Sequence, residues 1–210
     1  MFISLNLKDT KMKRAEEKNI EITNKIVKKH KQGKIKDVLK KRQQEQFNIL
    51  KTYCGLKGSL LDLGSRDGLW LNKLKCEGFQ GRLVGIELSE EALKTLKEQG
   101  FEGYRGNIEK DLNIFTPGSF DIIWSSHVFE HCENPSKVVE DIKKILRPRG
   151  YLFVEVPLES KVRNAVGHFH MFNNRNSVID LFNEFKIIHK YTDKKNNNKQ
   201  WFRVLGTFIS

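Results

Sequence analysis

Two rhythms divide the chain. Up to about residue 50 the apolar positions are sparse and recur at helical spacing: Ile22, Ile26 and Val27, then Ile35, Val38 and Leu39, then Phe47 and Leu50. With abundant Lys, Glu and Gln and no proline, the spacing predicts helix over residues 11–50, divided at Gly33. From residue 59 short apolar runs take over. They predict buried strands at 59–63, 82–87, 119–125 and 150–156, alternating with helical patterns at 68–78, 90–99 and 135–146. Strand alternating with helix predicts a parallel sheet covered on both faces. After Pro157 the pattern loosens to about residue 173, and a helix is expected at "SVIDLFNEF". The runs "KIIHKYT" and "QWFRVLGTFI", joined by the polar loop "DKKNNNK", then predict an antiparallel hairpin at the sheet edge.

Composition sharpens this division. The net charge of +12 is uneven: residues 1–52 hold 15 Lys/Arg against 6 Asp/Glu, and the remainder 23 against 20. The sequence therefore reads as a basic helical extension, 1–52, and an α/β domain, 53–210. The glycine turn and acids described below lie in the second part, so the extension is expected to stand apart from the ligand site. Residues 11–50 offer a surface for a polyanion, although a solvated helical arm explains the same charge. No run of about 18 apolar residues is present, so no membrane span is expected. The start "MFISLNLKDTKMKR" is too short in its apolar part for a secretory signal. Cys54, Cys76 and Cys132 are scattered singly, which suits a reducing compartment and argues against disulfides or structural zinc. A cytoplasmic protein is expected, of open oligomeric state.

The chemistry begins at "LLDLGSRDG", residues 60–68. A predicted strand ends on Asp62 and runs through Gly64 and Gly68 into a helix. In open α/β sheets such a turn lets backbone approach a ligand and aims a helix N-terminus at it. Glu87 closes the next strand, where a carboxylate can accept hydrogen bonds from both hydroxyls of a ribose. The GxGxxG fingerprint is missing, which fits a nucleoside ligand without a pyrophosphate.

These residues, with "LVGIELSEEAL", "GNIEKDL" and the long stretch from "FDIIWSSHVFEHCENP" to "GYLFVEVP", resemble a class I S-adenosylmethionine-dependent methyltransferase of the type 11/23-like group. With "GHFHMFNNRNSVIDLF" the likeness covers residues 59 to about 185. It implies a Rossmann-like, mostly parallel seven-stranded sheet with an antiparallel C-terminal edge strand, and S-adenosyl-L-methionine as cofactor. By the same resemblance Asp62, Gly64, Ser65, Arg66 and Gly68 surround the amino-acid end of the cofactor. Glu87 holds the ribose, Leu88 lies against the adenine, and Asn107 and Ile108 complete the adenine end. Ser125 and Ser126 flank the methionine. Arg66 replaces the usual middle glycine; a positive φ there would strain arginine, so a turn of another shape is expected. Asp67 is expected to cap the following helix.

Methyl transfer from a sulfonium needs alignment above all, and a general base only where the acceptor must lose a proton. The candidate catalytic residues are His131, His127 and His168. His131 leads, because one helical turn would bring it to the same face as His127. His168 and His170 form an x-H-x-H pattern, but no third ligand stands at matching spacing, so no metal is expected. The acceptor is read as a hydroxyl on a small-molecule, glycan or lipid-like substrate. Two alternatives stay open: an RNA methyltransferase that uses the basic arm, and a non-enzymatic, partner-binding member of the fold.

Overall fold

The computed structural model describes residues 2–33, 37–158, 168–193 and 200–209. Two helices come first, α1 (Phe2–Lys31) and α2 (Asp37–Tyr53), separated near Gly33, whose φ is +69°. The side chains of Ile35 and Val38 and the loop 194–199 lie outside the described residues. The alternating part follows as β1 (Lys57–Leu63), α3 (Leu69–Cys76), β2 (Gln80–Glu87), α4 (Glu90–Glu98), β3 (Glu102–Arg105), β4 (Phe120–Ser126), α5 (Pro135–Ile145) and β5 (Leu146–Leu158). The short α6 (Asn176–Ile179) and the strands β6 (Phe185–Thr192) and β7 (Gln200–Phe208) end the chain.

The seven strands form one sheet in the order β3-β2-β1-β4-β5-β7-β6. β1 to β5 are parallel, and β7 runs antiparallel to both β5 and β6. The Rossmann-like sheet and its antiparallel C-terminal hairpin are thus as the sequence implied. The reversed strand β7 lies one place in, and its partner β6 forms the rim.

Period-two alternation sorts the strand side chains between two cores. Leu61, Leu63, Ile123 and Val154 face the side covered by Val138 and Ile142 of α5. Leu60, Ile122, Trp124 and Phe153 face Leu50 of α2 and Trp70, Leu71 and Leu74 of α3. Trp124 stacks on Phe153 at 3.8 Å and on Trp70 at 5.3 Å between centroids. α2 is therefore part of the core, contributing Phe47, Ile49 and Leu50. α1 packs on α4, with Val27 fully buried. No helix among the described residues is long and apolar enough to cross a membrane.

Two expectations give way. The helix at "SVIDLFNEF" is only one turn, α6, continued by a 3-10 turn at Asp180–Phe182. The helical turn expected to join His127 to His131 is absent: Phe129–His131 form a separate 3-10 turn, and α5 begins at Pro135 as its pattern predicts. Its start is set by Asn134, whose side chain accepts from the Lys137 N–H at 3.1 Å, with proline at the first helical position.

Candidate active site

The carboxyl ends of β1, β2 and β4 converge on the glycine turn. Gly64 has φ +65°, and a Cβ there would stand 2.7 Å from Cγ2 of Val128. Its N–H and that of Ser65 both reach the Ile86 carbonyl, at 2.9 and 3.2 Å, which sews the turn to the end of β2. Gly85 leaves room for this fold-over, since a Cβ on it would lie 2.3 Å from Ser65 Oγ. Arg66 does adopt a positive φ, +49°, so the turn keeps the shape a glycine would favour. A strain of about 1–3 kcal/mol is expected for such a residue. The Arg66 N–H donates to Glu87 Oε2 at 2.9 Å and so ties the turn to that acid.

Asp67 is not the helix cap. Gly68, at φ +77°, occupies the N-cap of α3 without a side-chain bond. Asp67 instead faces α1: its Oδ2 is 2.8 Å from His30 Nδ1, while Oδ1 is buried without a partner among the described residues. Glu87 is buried, and its Oε1 accepts the Ser89 N–H at 2.9 Å. Burial raises Glu87 above its ordinary value, against the N–H groups of Ser89 and Arg66. Asp62 is pushed up further, by burial first and by Glu87 beside it second.

Two clefts meet at Gly64. One, of about 580 Å³ counting its open mouth, is lined by Glu87, Leu88, Asn107, Ile108, Val128 and His131. The other, about 510 Å³ on the same measure, is lined by Asp62, Ser65, Arg66, Asp67, Trp70 and Ser126. Nearly all residues expected at a nucleoside and its amino-acid tail are thus brought together. Two do not line either cleft: Gly68, at the N-cap of α3, and Ser125, which is fully buried with its Oγ unpartnered among the described residues.

The arm belongs to this site, contrary to the sequence expectation. Glu16 and Asn19 of α1 line the first cleft. Glu16 Oε1 accepts from Asn107 Nδ2 at 2.6 Å and from Lys110 Nζ at 3.0 Å. Asn107 Oδ1 accepts the Glu109 N–H at 2.9 Å, so both ends of that amide are oriented. Asn24 bonds Ser89 Oγ. His30, Arg42 and Gln46 line the second cleft, and Gln46 donates to Ser126 Oγ at 2.9 Å. Polar residues on a polar helix carry no local signal of such a role.

The candidate histidines separate. His127, at φ +59°, cannot continue a helix toward His131, and it lines neither cleft. Its Nδ1 is 3.1 Å from Glu130 Oε1 and its Nε2 is 3.2 Å from Glu155 Oε1. Burial disfavours a charged ring, but the two carboxylates outweigh it and raise His127 above its ordinary value. Arg42 competes: its Nη1 lies 2.8 Å from the same Nε2 and can donate only to a ring without that proton. Both ring nitrogens are engaged within the protein and the residue lines neither cleft, so the structure does not bring His127 to an acceptor.

His131 does line the first cleft. Its ring meets that of His168 edge to face, 4.9 Å between centroids. The Glu130 carbonyl holds the two segments together by accepting the N–H groups of Phe169 and His170, at 2.9 and 3.1 Å. A third ligand-type group also appears in space where spacing showed none: one atom each of Glu130, His131 and His168 lie within 4.8 Å of one another. His170 instead tilts against Phe172, and His189 lies on β6 against Tyr53.

Comparison with known proteins agrees with this geometry. A family model described as a methyltransferase domain matches residues 13–189. The ubiquinone biosynthesis O-methyltransferase of Caulobacter vibrioides is 33% identical over 101 residues, 46% of this chain and 39% of that one. The protein of the same name from Bordetella pertussis is 29% identical over 111 residues, 50% of this chain and 45% of that one. The chain thus spans less than half the length of these curated relatives. A SAM dependent methyltransferase from Aquifex aeolicus shares the fold with a TM-score of 0.61 at 20% identity, over 77% of this chain and 88% of that one. The family match begins inside α1, in keeping with a cleft walled by that helix. The chain belongs to the methyltransferase domain family, the class I S-adenosylmethionine-dependent enzymes that its motifs resemble.

Proposed function

We propose that this chain transfers the methyl group of S-adenosylmethionine to a hydroxyl of a small-molecule, glycan or lipid-like acceptor. The observation that carries this reading is the pair of clefts joined at Gly64. In it Glu87 takes the ribose hydroxyls, Leu88 and Ile108 sandwich the adenine, and Asn107 meets the adenine edge. Asp62, Gly64, Ser65, Arg66, Gly68 and Ser126 surround the amino-acid end. The unpartnered buried Ser65 Oγ supports the fit of a polar tail there. The bound donor supplies an electrophilic methyl carbon, and the protein aligns it with an acceptor oxygen. His131 is the candidate histidine on the cleft wall, which makes it the residue beside which the acceptor's hydroxyl is deprotonated. The O-methyltransferase relatives favour oxygen as the acceptor atom.

The test is titration calorimetry of the full chain with S-adenosylmethionine and its demethylated product. Transfer of labelled methyl to a panel of phenols, sugars, lipids and RNA then follows. We expect both ligands to bind and label to enter a hydroxyl. His131→Ala should lower turnover about 10²-fold with donor affinity unchanged. Failure of both ligands to bind overturns the reading, and label confined to amines or to RNA overturns the choice of a hydroxyl.

A further inference from the structure

The geometry points to a divalent-cation site made by Glu130, His131 and His168. Three observations meet there. First, a ligand atom from each residue lies within 4.8 Å of the others. Second, Glu130 is 2% exposed, and its two oxygens are unequally used. Oε1 faces His127 Nδ1, whereas Oε2 is buried with no hydrogen-bond partner among the described residues. An orphaned carboxylate oxygen beside two imidazoles is costly unless something positive meets it. Third, His168 is brought to His131 by a built contact: the Glu130 carbonyl accepts from both Phe169 and His170. The same residue thus positions one ligand with its backbone and offers another from its side chain.

Two imidazoles and a carboxylate suit a first-row transition ion such as Zn²⁺ or Co²⁺ better than Mg²⁺, which takes oxygen ligands. Ligands at about 2.1 Å from such an ion stand roughly 3.4 Å apart in a tetrahedral shell. The side chains therefore need to close by little more than about 1 Å, within the reach of ordinary rotamer adjustment. Three protein ligands leave a coordination position for water or substrate, the pattern of catalytic rather than structural sites. His131 also lines the first cleft, so that position opens toward it. There an acceptor hydroxyl bound to the ion would lose its proton to solvent more readily than a free alcohol. This last step rests on the hydroxyl-transfer reading above; the ion site itself does not.

The test uses the full chain, stripped with EDTA and titrated with ZnCl₂, CoCl₂ and MgCl₂ in the absence of donor and acceptor. We expect one equivalent of Zn²⁺ or Co²⁺, visible absorption bands for the Co²⁺ form, and much weaker Mg²⁺ binding. His168→Ala should weaken Zn²⁺ at least about tenfold, and Glu130→Gln likewise. His170→Ala should bind as wild type. Glu130→Gln also removes the charge that holds His127, so circular dichroism of His168→Ala keeps the test decisive. A wild type that takes up no ion overturns the site. So does unchanged affinity in His168→Ala, which would move the ion to other side chains. Equal affinity for Mg²⁺ overturns the choice of ion. Ligand-dependent Zn²⁺ binding with no methylation of any hydroxyl would uphold the site and sink the hydroxyl reading.

Discussion

Replacing Glu155 by glutamine changes one atom in the most enclosed charge among the described residues. Glu155 is fully buried on β5 and pairs across the sheet with Arg203 of β7. Its Oε2 accepts from Arg203 Nε. Its Oε1 accepts from Gln46 Nε2 and Ser126 Oγ, both at 3.0 Å, and lies 3.5 Å from Arg42 Nε. Glu155→Gln keeps the shape and removes the charge. Arg203 would retain Asp193 at 2.9 Å and Glu45 at 3.1 Å, and His127 would retain Glu130, but Arg42 would lose its carboxylate. Removing one partner of a buried ion pair costs about 3–5 kcal/mol. Since two of the three cations keep a partner, we place the loss near 3 kcal/mol, at the lower end of that range.

The pH dependence separates the groups. Burial alone would raise Glu155; His127, Arg42 and Arg203 outweigh it and hold the carboxyl far below its ordinary value. Its contribution is therefore complete above the unfolded value of about 4.5 and lost only as pH falls through the depressed folded value. His127 runs the other way. Its contribution is complete below the unfolded value of about 6.5 and lost as pH rises through the raised folded value. Guanidinium unfolding, followed by fluorescence of buried Trp70 and Trp124, should show Glu155→Gln destabilised at both pH 5 and pH 7, with the part that runs through Arg42 and Arg203 unchanged between them. The deficit of His127→Gln should instead shrink between pH 6 and pH 9. A Glu155→Gln protein within about 0.5 kcal/mol of wild type at pH 7 would refute the argument, since ordinary surface changes fall in that range.

Three further outcomes test the donor end. Glu87→Ala removes the acceptor of the Arg66 and Ser89 N–H groups together with the proposed ribose contact, and should weaken donor binding by about 1.5–3 kcal/mol in calorimetry. Glu16→Ala releases Asn107 and should weaken the donor by about 1 kcal/mol, whereas an arm that stood apart from the cleft would leave affinity unchanged. Gly64→Ala should destabilise the fold by at least about 1–2 kcal/mol from its positive φ alone. Adding Val128→Ala should recover only the part due to the 2.7 Å contact, and full recovery in thermal unfolding would show that the backbone conformation costs nothing.

The sheet was legible because burial on both faces forces continuous apolar strands, and β1, β2, β4 and β5 fall on the four runs that the pattern marks. β3 was not, since "EGYR" is short, polar and only half-buried at the sheet's edge. The turn after β1 was legible as a glycine turn because close backbone approach demands glycine at Gly64. The expectation of another shape at Arg66 failed because it weighed local strain without the Glu87 contact that holds the N–H. His127 and His131 were grouped by helical periodicity, and no sequence rule announces the positive φ that parts them. Glu155 and Arg203 did carry a signal. Each is an ionisable residue inside an apolar strand, which burial tolerates only as a pair.

The arm shows how one segment can hold both a charge surplus and a wall of the site. Glu16, Asn19, Val27 and His30 follow at intervals of three, eight and three, which keeps them on one stripe of α1. That stripe meets Asn107, the cleft, the core and Asp67 in turn. Lys25, Lys28, Lys29 and Lys31 are exposed, away from it. The inward stripe carries an acid, an amide, a valine and a histidine; the lysines face outward. Composition averages the two and reports only the lysines, which outnumber the rest. A helix read by its net charge is therefore read by its solvent face, while the residues that join it to the site are those the average conceals.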